Sequence, residues 1–290
     1  AIDPRLRISD ALLTTAEKKQ LQLYVEYPAA FPGLDIPGKP LETRLERGVV
    51  TSNDFGGPLQ RMSLVGIHNC YILPVTAANP LIVLAKVVGF DKAEYGLDST
   101  TTYPLLFKHN NVFVATTALS NFERGRYGPA SAMKQVWTYI LASMTGNPQL
   151  AIKHWPMDVR PMYSREAPLP ATARMNAIKK GTEWFFHGRF FVHPSWQKEY
   201  EEFNSRQMPT GPPISADKPD GDGSLGIMEG HTSTINYDGT QQYRYWMRAD
   251  VQGEVSMALS AAGRLFNNKK YQQNAANLIN YVLKTSNLRA

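Results

Sequence analysis

The chain has 290 residues, 43% of them apolar and 19% charged, a balance that excludes wholesale disorder and allows a large core without covalent staples. A single cysteine, Cys70, excludes an internal disulfide framework and any multi-cysteine zinc site, and the longest strongly apolar run, 81–90, contains Lys86 and is too short to cross a bilayer. The net charge of +6 comes from basic residues scattered through the chain, which fits solubility and argues against a nucleic-acid footprint.

At about 150 residues per domain, the length predicts two domains or one large one. Residues 1–147 read as a mixed α/β domain. The segment 20–27 alternates with period two and stops at Pro28, the pattern of a half-buried strand, and a Pro/Gly-rich loop follows over 28–40. Further strands are expected over 44–51, 63–73, 80–89 and 111–117. Residues 81–88 are nearly continuously apolar, which predicts a central strand covered on both faces. Asn110-Asn111 carries a turn signal that joins two hairpin strands. Met133, Val136, Trp137, Ile140, Leu141 and Met144 share one face of a helix that begins near Pro129 and is stopped by Gly146 and Pro148.

Residues 148–170, with Pro156, Pro161, Pro168 and Pro170, read as a linker, and 171–290 as a mainly helical region. Helices are expected over 171–188, 194–204, 247–266 and 269–284, the last two joined at Asn267-Asn268 as an antiparallel hairpin. Between them lie a loop over 208–223 and an irregular excursion over 225–245, with a turn at Asp238-Gly239.

The candidate chemistry concentrates at the start of the penultimate helix. With Asp250 at zero on a wheel of 100° per residue, Glu254 falls at about 40°, Met257 at about −20°, Ala261 at about 20° and Leu265 at about 60°. Gln252 and Ser256 take the opposite side. This phase predicts two carboxylates on the packed face, where a charge is costly unless paired. Either Arg244 and Arg248 hold them, or small neighbouring residues leave a cavity in which they meet substrate. Glycoside hydrolysis commonly uses two carboxyl groups, one acid and one base or nucleophile.

Just upstream, Glu229-Gly-His231 is followed by Gln241, Gln242, Tyr243, Arg244, Tyr245 and Trp246. Aromatic faces with amide, carboxylate and guanidinium groups are what a sugar ring needs, although a packed loop with Trp246 in the core would use the same residues. Asp250, Glu254 and Glu229 are therefore the candidate catalytic residues, and His231, Tyr245, Trp246 and Arg248 the candidate substrate contacts. Cys70 and His68 are two residues apart, but their strand-like surroundings lack the sharp turn of a nucleophile elbow, so a structural thiol is expected. The six histidines show no close metal spacing, and 122–128 lacks a phosphate-loop pattern; neither metal nor cofactor is expected.

The run Val114-Ala-Thr-Thr-Ala-Leu-Ser-Asn-Phe122, then Gly125-Arg-Tyr-Gly-Pro129 and a Trp-containing helix, resembles the end of a glutamine-amidotransferase-like α/β domain. Arg174 to Phe186, His193-Pro-Ser-Trp196, Gly226-Ile-Met-Glu-Gly230 and Arg248-Ala-Asp-Val-Gln-Gly-Glu254 resemble the entry to an (α/α)6 toroid, as in glycoside-hydrolase-like proteins of bacterial polysaccharide-utilisation systems. The resemblance implies a periplasmic or secreted protein with a carbohydrate ligand, acting as a glycoside hydrolase or as a non-catalytic binding or scaffolding module. It departs in two places. A full toroid needs on the order of 300 residues, and about 140 follow Pro148, so the chain is expected to supply only the opening helices, with the remainder of a toroid or a second copy as partner. Cys70 sits in no tight strand-to-helix turn, so the first domain is expected to be non-catalytic.

Overall fold

The computed structural model describes residues 3–36, 38–67, 70–120, 130–155, 162–163, 167–232 and 240–286. The chain forms two compact units, one over Ala1–Met162 and Thr234–Thr240 and the other over Tyr163–Ser233 and Gln241–Ala290. The class is α/β, with a curled mixed sheet and six α-helices among the described residues.

The first unit opens with α1 (Asp10–Lys18), a helix the sequence reading missed; Ser9 caps it by accepting the Leu12 N–H at 3.3 Å. Eight strands follow: β1 (Leu23–Glu26), β2 (Leu41–Glu42), β3 (Arg47–Val50), β4 (Leu64–Val65), β5 (Tyr71–Ile72), β6 (Ile82–Ala85), β7 (Thr102–His109) and β8 (Val112–Ala115). Six form one sheet in the order β1-β8-β7-β6-β3-β4, and β2 pairs with β5 separately. Within the six-stranded sheet β1 runs parallel to β8, and the other pairs are antiparallel. The turn between β7 and β8 places Asn110 at φ +53°, a conformation asparagine tolerates better than most residues.

Apolar continuity in β6 has the expected cause. Ile82 and Leu84 join Phe113, Val136 and Ile140 in one core cluster, while Val83 and Ala85 pack with Val49, Leu64 and Ala93 on the other face. Strand β8 divides in the same way, with Phe113 and Ala115 on one side and Val112 and Val114 against Val25, Phe31 and Leu73 on the other. Helix α2 (Ala130–Thr145) lays Met133, Val136 and Ile140 on the first of these clusters. The single strand expected over 63–73 is instead two short ones. β4 pairs with β3 and β5 with β2, because the two halves meet different neighbours.

The second unit holds α3 (Ala173–His187), a 3-10 turn over Pro194–Trp196, α4 (Gln197–Asn204), α5 (Ala249–Leu265) and α6 (Lys269–Asn280), which runs on into a π-helical turn over Tyr281–Thr285. Strands β9 (Thr210–Gly211), β10 (Gly230–His231) and β11 (Tyr243–Arg244) make a small antiparallel sheet with β11 in the centre. Helices α5 and α6 pack as an antiparallel hairpin, with Ser256 Oγ donating to the Ala275 carbonyl at 2.8 Å and a would-be Cβ on Gly263 only 2.7 Å from Gln272. Phe190, Phe191, Trp196, Ile227, Tyr243, Tyr245, Leu259 and Leu278 form the core. The turn expected at Asp238-Gly239, the segment 122–129 and His68 lie outside the described residues.

The packed-face reading of α5 is overturned. Its buried residues are Gln252, Val255, Ser256, Leu259, Ala262 and Gly263, an arc centred on Leu259 at about 180° from Asp250. Asp250 and Glu254 are exposed, as is Met257 at 71%. The error has a physical source: two polar residues sit on the buried face because the backbone of neighbouring elements satisfies them. Gln252, fully buried, accepts the Ile227 N–H at 2.9 Å and donates to the Ile227 carbonyl at 2.7 Å. Ser256 is satisfied by Ala275, as described above. A wheel weighted by hydropathy alone puts both outside.

Candidate functional site

Strands β10 and β11 and the start of α5 bring most of the predicted residues together around Arg248. Residue 248 is the N-cap position of α5, in extended backbone. Its Nε donates to Asp250 Oδ1 at 3.1 Å, a second guanidinium nitrogen pairs with Asp250 Oδ2, and Nη1 lies 3.5 Å from Glu229 Oε1. Asp250 Oδ1 also accepts the Val251 N–H at 2.9 Å, and its place in the first helical turn suits the positive end of the helix dipole. The Arg248 hydrogen bond, ahead of the Val251 contact, holds the Asp250 carboxyl below its usual range. Asp250 first, then Glu229 and Glu254, hold the Arg248 guanidinium above its own. Three carboxylates thus bear on one guanidinium.

Of the three, Glu229 is the sheltered one, its side chain 15% exposed. Arg244 Nη1 donates to its Oε1 at 2.7 Å, and the indole N–H of Trp246 donates to its Oε2. The Arg244 guanidinium stands 5.5 Å from the centre of the Trp246 ring. Glu229 is therefore an acceptor fixed from three sides, by two arginines and a tryptophan. Charge-assisted bonds of this kind are the strong ones in protein interiors and rims.

His231, two residues along, has a different set of neighbours. Its ring lies 4.8 Å from Tyr243, 5.1 Å from Phe190 and 5.8 Å from Trp184, centroid to centroid. Burial among these rings pushes the imidazole pKa down. Between Glu229 and His231, Gly230 takes φ +120°, open only to glycine, so the regular alternation of the strand is interrupted there. A Cβ on Gly230 would stand 3.2 Å from the Trp184 indole. Trp184 lies on α3, is 43% exposed, and is held edge-on by Phe190 at 4.6 Å. The sequence reading missed Trp184 as a site residue; an aromatic ring left outside on an otherwise buried-aromatic helix end becomes visible only once α3 is placed.

Tyr245 is a correction. It is fully buried, stacked on Phe203 at 4.5 Å, and its hydroxyl donates to the Pro212 carbonyl at 2.6 Å, so it is a core residue and cannot touch a ligand. Glu254 contributes charge from the exposed side of α5. Cys70, half-buried, is locked to Thr43, which accepts the Cys70 N–H at 3.0 Å, donates to its carbonyl at 2.9 Å and sits 3.3 Å from its sulfur. Among the described residues no group of three or more His, Cys, Asp or Glu side chains is arranged to hold a metal ion, and no helix is long and apolar enough to cross a membrane.

The arrangement offers a fixed carboxylate, two guanidinium groups and a nearby exposed indole. Fixed acceptors, fixed donors and an apolar face are what recognition of a polyhydroxylated ring uses. A general acid requires a carboxyl held above its usual range, and Asp250 is held below it. No family model matches the chain, and no curated protein or solved structure matches it.

Proposed function

We propose that the chain is a carbohydrate-binding unit without turnover, in which the Glu229 cluster reads sugar hydroxyls and the exposed face of Trp184 receives the ring. The observation that supports it is the clamp on Glu229, whose two oxygens are engaged by Arg244, Trp246 and Arg248 in a fixed geometry. In this reading the first unit is an amidotransferase-like domain serving as a non-catalytic platform, and the helices of the second unit are the opening of an (α/α)6 toroid. A periplasmic or secreted location would put the protein where polysaccharide is met. The test is affinity electrophoresis and calorimetry of the intact protein against a panel of polysaccharides, with reducing-end release measured in parallel. Binding without product is expected, with Trp184→Ala and Arg248→Ala each weakening it by about tenfold, the effect of one lost good contact. Retention of full affinity in both variants defeats the assignment.

Glycoside hydrolysis is the second reading, and one observation favours it: Glu229, Asp250 and Glu254 all bear on Arg248. It requires that reducing ends be released and that Glu229→Gln, Asp250→Asn or Glu254→Gln abolish the release while binding survives.

A further inference from the structure

The first unit carries an open groove of about 430 Å³. Helix α2 has two working faces. Met133, Val136 and Ile140 enter the core, while Gln135, Thr138, Tyr139 and Ala142, at the i, i+3, i+4 and i+7 spacing, form the floor of the groove. The helix ends at Gly146, whose φ of +63° reverses the chain. Asn147 N–H then donates to the Ala142 carbonyl at 3.1 Å and Leu150 N–H to the Asn147 carbonyl at 3.1 Å, setting Pro148 and Leu150 back along the helix as one wall. Phe55 closes the other side, its carbonyl accepting from Gln135 Nε2 at 3.0 Å.

The floor is preorganised. The Tyr139 ring is set edge-on to Phe55 at 5.0 Å and to Phe113 at 5.9 Å. Lys108 Nζ donates to the Tyr139 hydroxyl at 2.8 Å, which leaves that hydroxyl its own hydrogen to give. Thr138 donates to the Lys134 carbonyl at 2.8 Å and keeps its lone pairs, and Gln135 keeps its amide oxygen. Among the described residues no acidic or basic side chain lines the groove; the Lys108 ammonium stands behind its floor, bonded to the Tyr139 hydroxyl and 5.1 Å from the centre of that ring. The described lining therefore presents the Tyr139, Thr138 and Ser143 hydroxyls, the Gln135 amide and a tyrosine ring, with no formal charge of its own. Its volume lies in the range of small-molecule sites, ~300–1,000 Å³.

We propose that this groove binds a neutral sugar, a pyranose of mono- or disaccharide size, at a site distinct from the Glu229 cluster. Hydroxyl groups that both donate and accept match the mixed donor–acceptor floor, the C–H face of the ring matches Tyr139 and Phe55, and the described lining offers no charged side chain to pair with a sugar acid or phosphate. The test is ligand-observed and amide-resolved NMR on the intact protein, titrated separately with glucose, galactose, mannose, N-acetylglucosamine, maltose and cellobiose, with adenosine as a planar neutral comparator and glucuronate as a charged one. At least one neutral sugar is expected to saturate in the millimolar range and to shift the amides of Gln135, Thr138 and Ser143. Ala142→Trp, which fills the groove from an accessible helix position, is expected to abolish that response, and Ser143→Trp repeats the block should the first variant melt early. Tyr139→Phe is expected to weaken binding by about tenfold. Responses lost in Arg248→Ala belong to the Glu229 cluster, and those lost in Ala142→Trp to the groove, so the two assignments fail separately. Saturation by adenosine or glucuronate in place of every neutral sugar, no saturation at all, or an unchanged response in folded Ala142→Trp and Ser143→Trp overturns the proposal.

Discussion

His231 shows how a single residue's surroundings convert into a measurable property. Its imidazole is enclosed by Tyr243, Phe190 and Trp184, and burial holds its pKa below the ordinary value near 6.5. Above about pH 6.5 the ring is neutral in the folded and the unfolded chain, and it adds no pH dependence. Below that value the unfolded chain takes up the proton first, so stability declines as pH falls until the folded imidazole is protonated too. His231→Phe removes the titrating group and keeps a ring among rings. The difference in urea midpoint between the parent and this variant should be flat above about pH 7 and should widen in favour of the variant toward about pH 5. A difference independent of pH would mean that the ring is not held neutral. At this scale Glu229, Trp246 and Arg248, marked as candidates in the sequence, do meet in the structure; Arg244, expected to hold the carboxylates of α5, pairs with Glu229 instead, and Tyr245, expected at a ligand, lies in the core. The signal for Tyr245 was present: Tyr243 and Tyr245 are buried while Arg244 and Trp246 between and beyond them are half-exposed, a period of two that marks Tyr245 as inward.

At the scale of an element, the phase of α5 decides which substitutions hurt. Leu259 is fully buried at the centre of the packed arc, and Met257, two residues earlier, is 71% exposed. Leu259→Ala should cost about 2–5 kcal/mol, and Met257→Ala should stay within about 0.5 kcal/mol, both read from chemical denaturation. The opposite order would restore the sequence-derived phase and with it the inward carboxylates. Gln252→Leu is a sharper probe of why the phase was misjudged. It keeps the volume but leaves the Ile227 N–H and carbonyl buried without partners, for a loss of about 2–4 kcal/mol. Strands were easier to read. The apolar run of β6 announced burial on both faces, and the turn at Asn110 announced the hairpin of β7 and β8. The division of 63–73 into β4 and β5 was not legible, because strand propensity says nothing about which partner each half will pair with. Helix α1 went unnoticed for a related reason: one buried residue, Ala16, gives almost no apolar stripe.

Across the whole molecule the charge is +6, with 31 basic and 25 acidic residues. A scattered excess of this kind attracts any polyanion weakly and loses it as salt is added, with log affinity falling linearly in log salt. The two regions assigned to ligands behave differently. Among the described residues the groove on α2 has no charged side chain in its lining, and at the Glu229 cluster the carboxylates of Glu229 and Asp250 face the guanidinium groups of Arg244 and Arg248 at close range, so these pairs largely cancel their own field. Neither region has net attraction for salt to screen at long range. Affinity for a neutral glycan should therefore change by less than about twofold between roughly 50 and 500 mM sodium chloride. A DNA duplex or an acidic polysaccharide, measured alongside, should bind only at the low end and release steeply. A neutral glycan whose affinity collapses with salt would place recognition on the diffuse basic surface, and both local assignments would have to give way to a non-specific one.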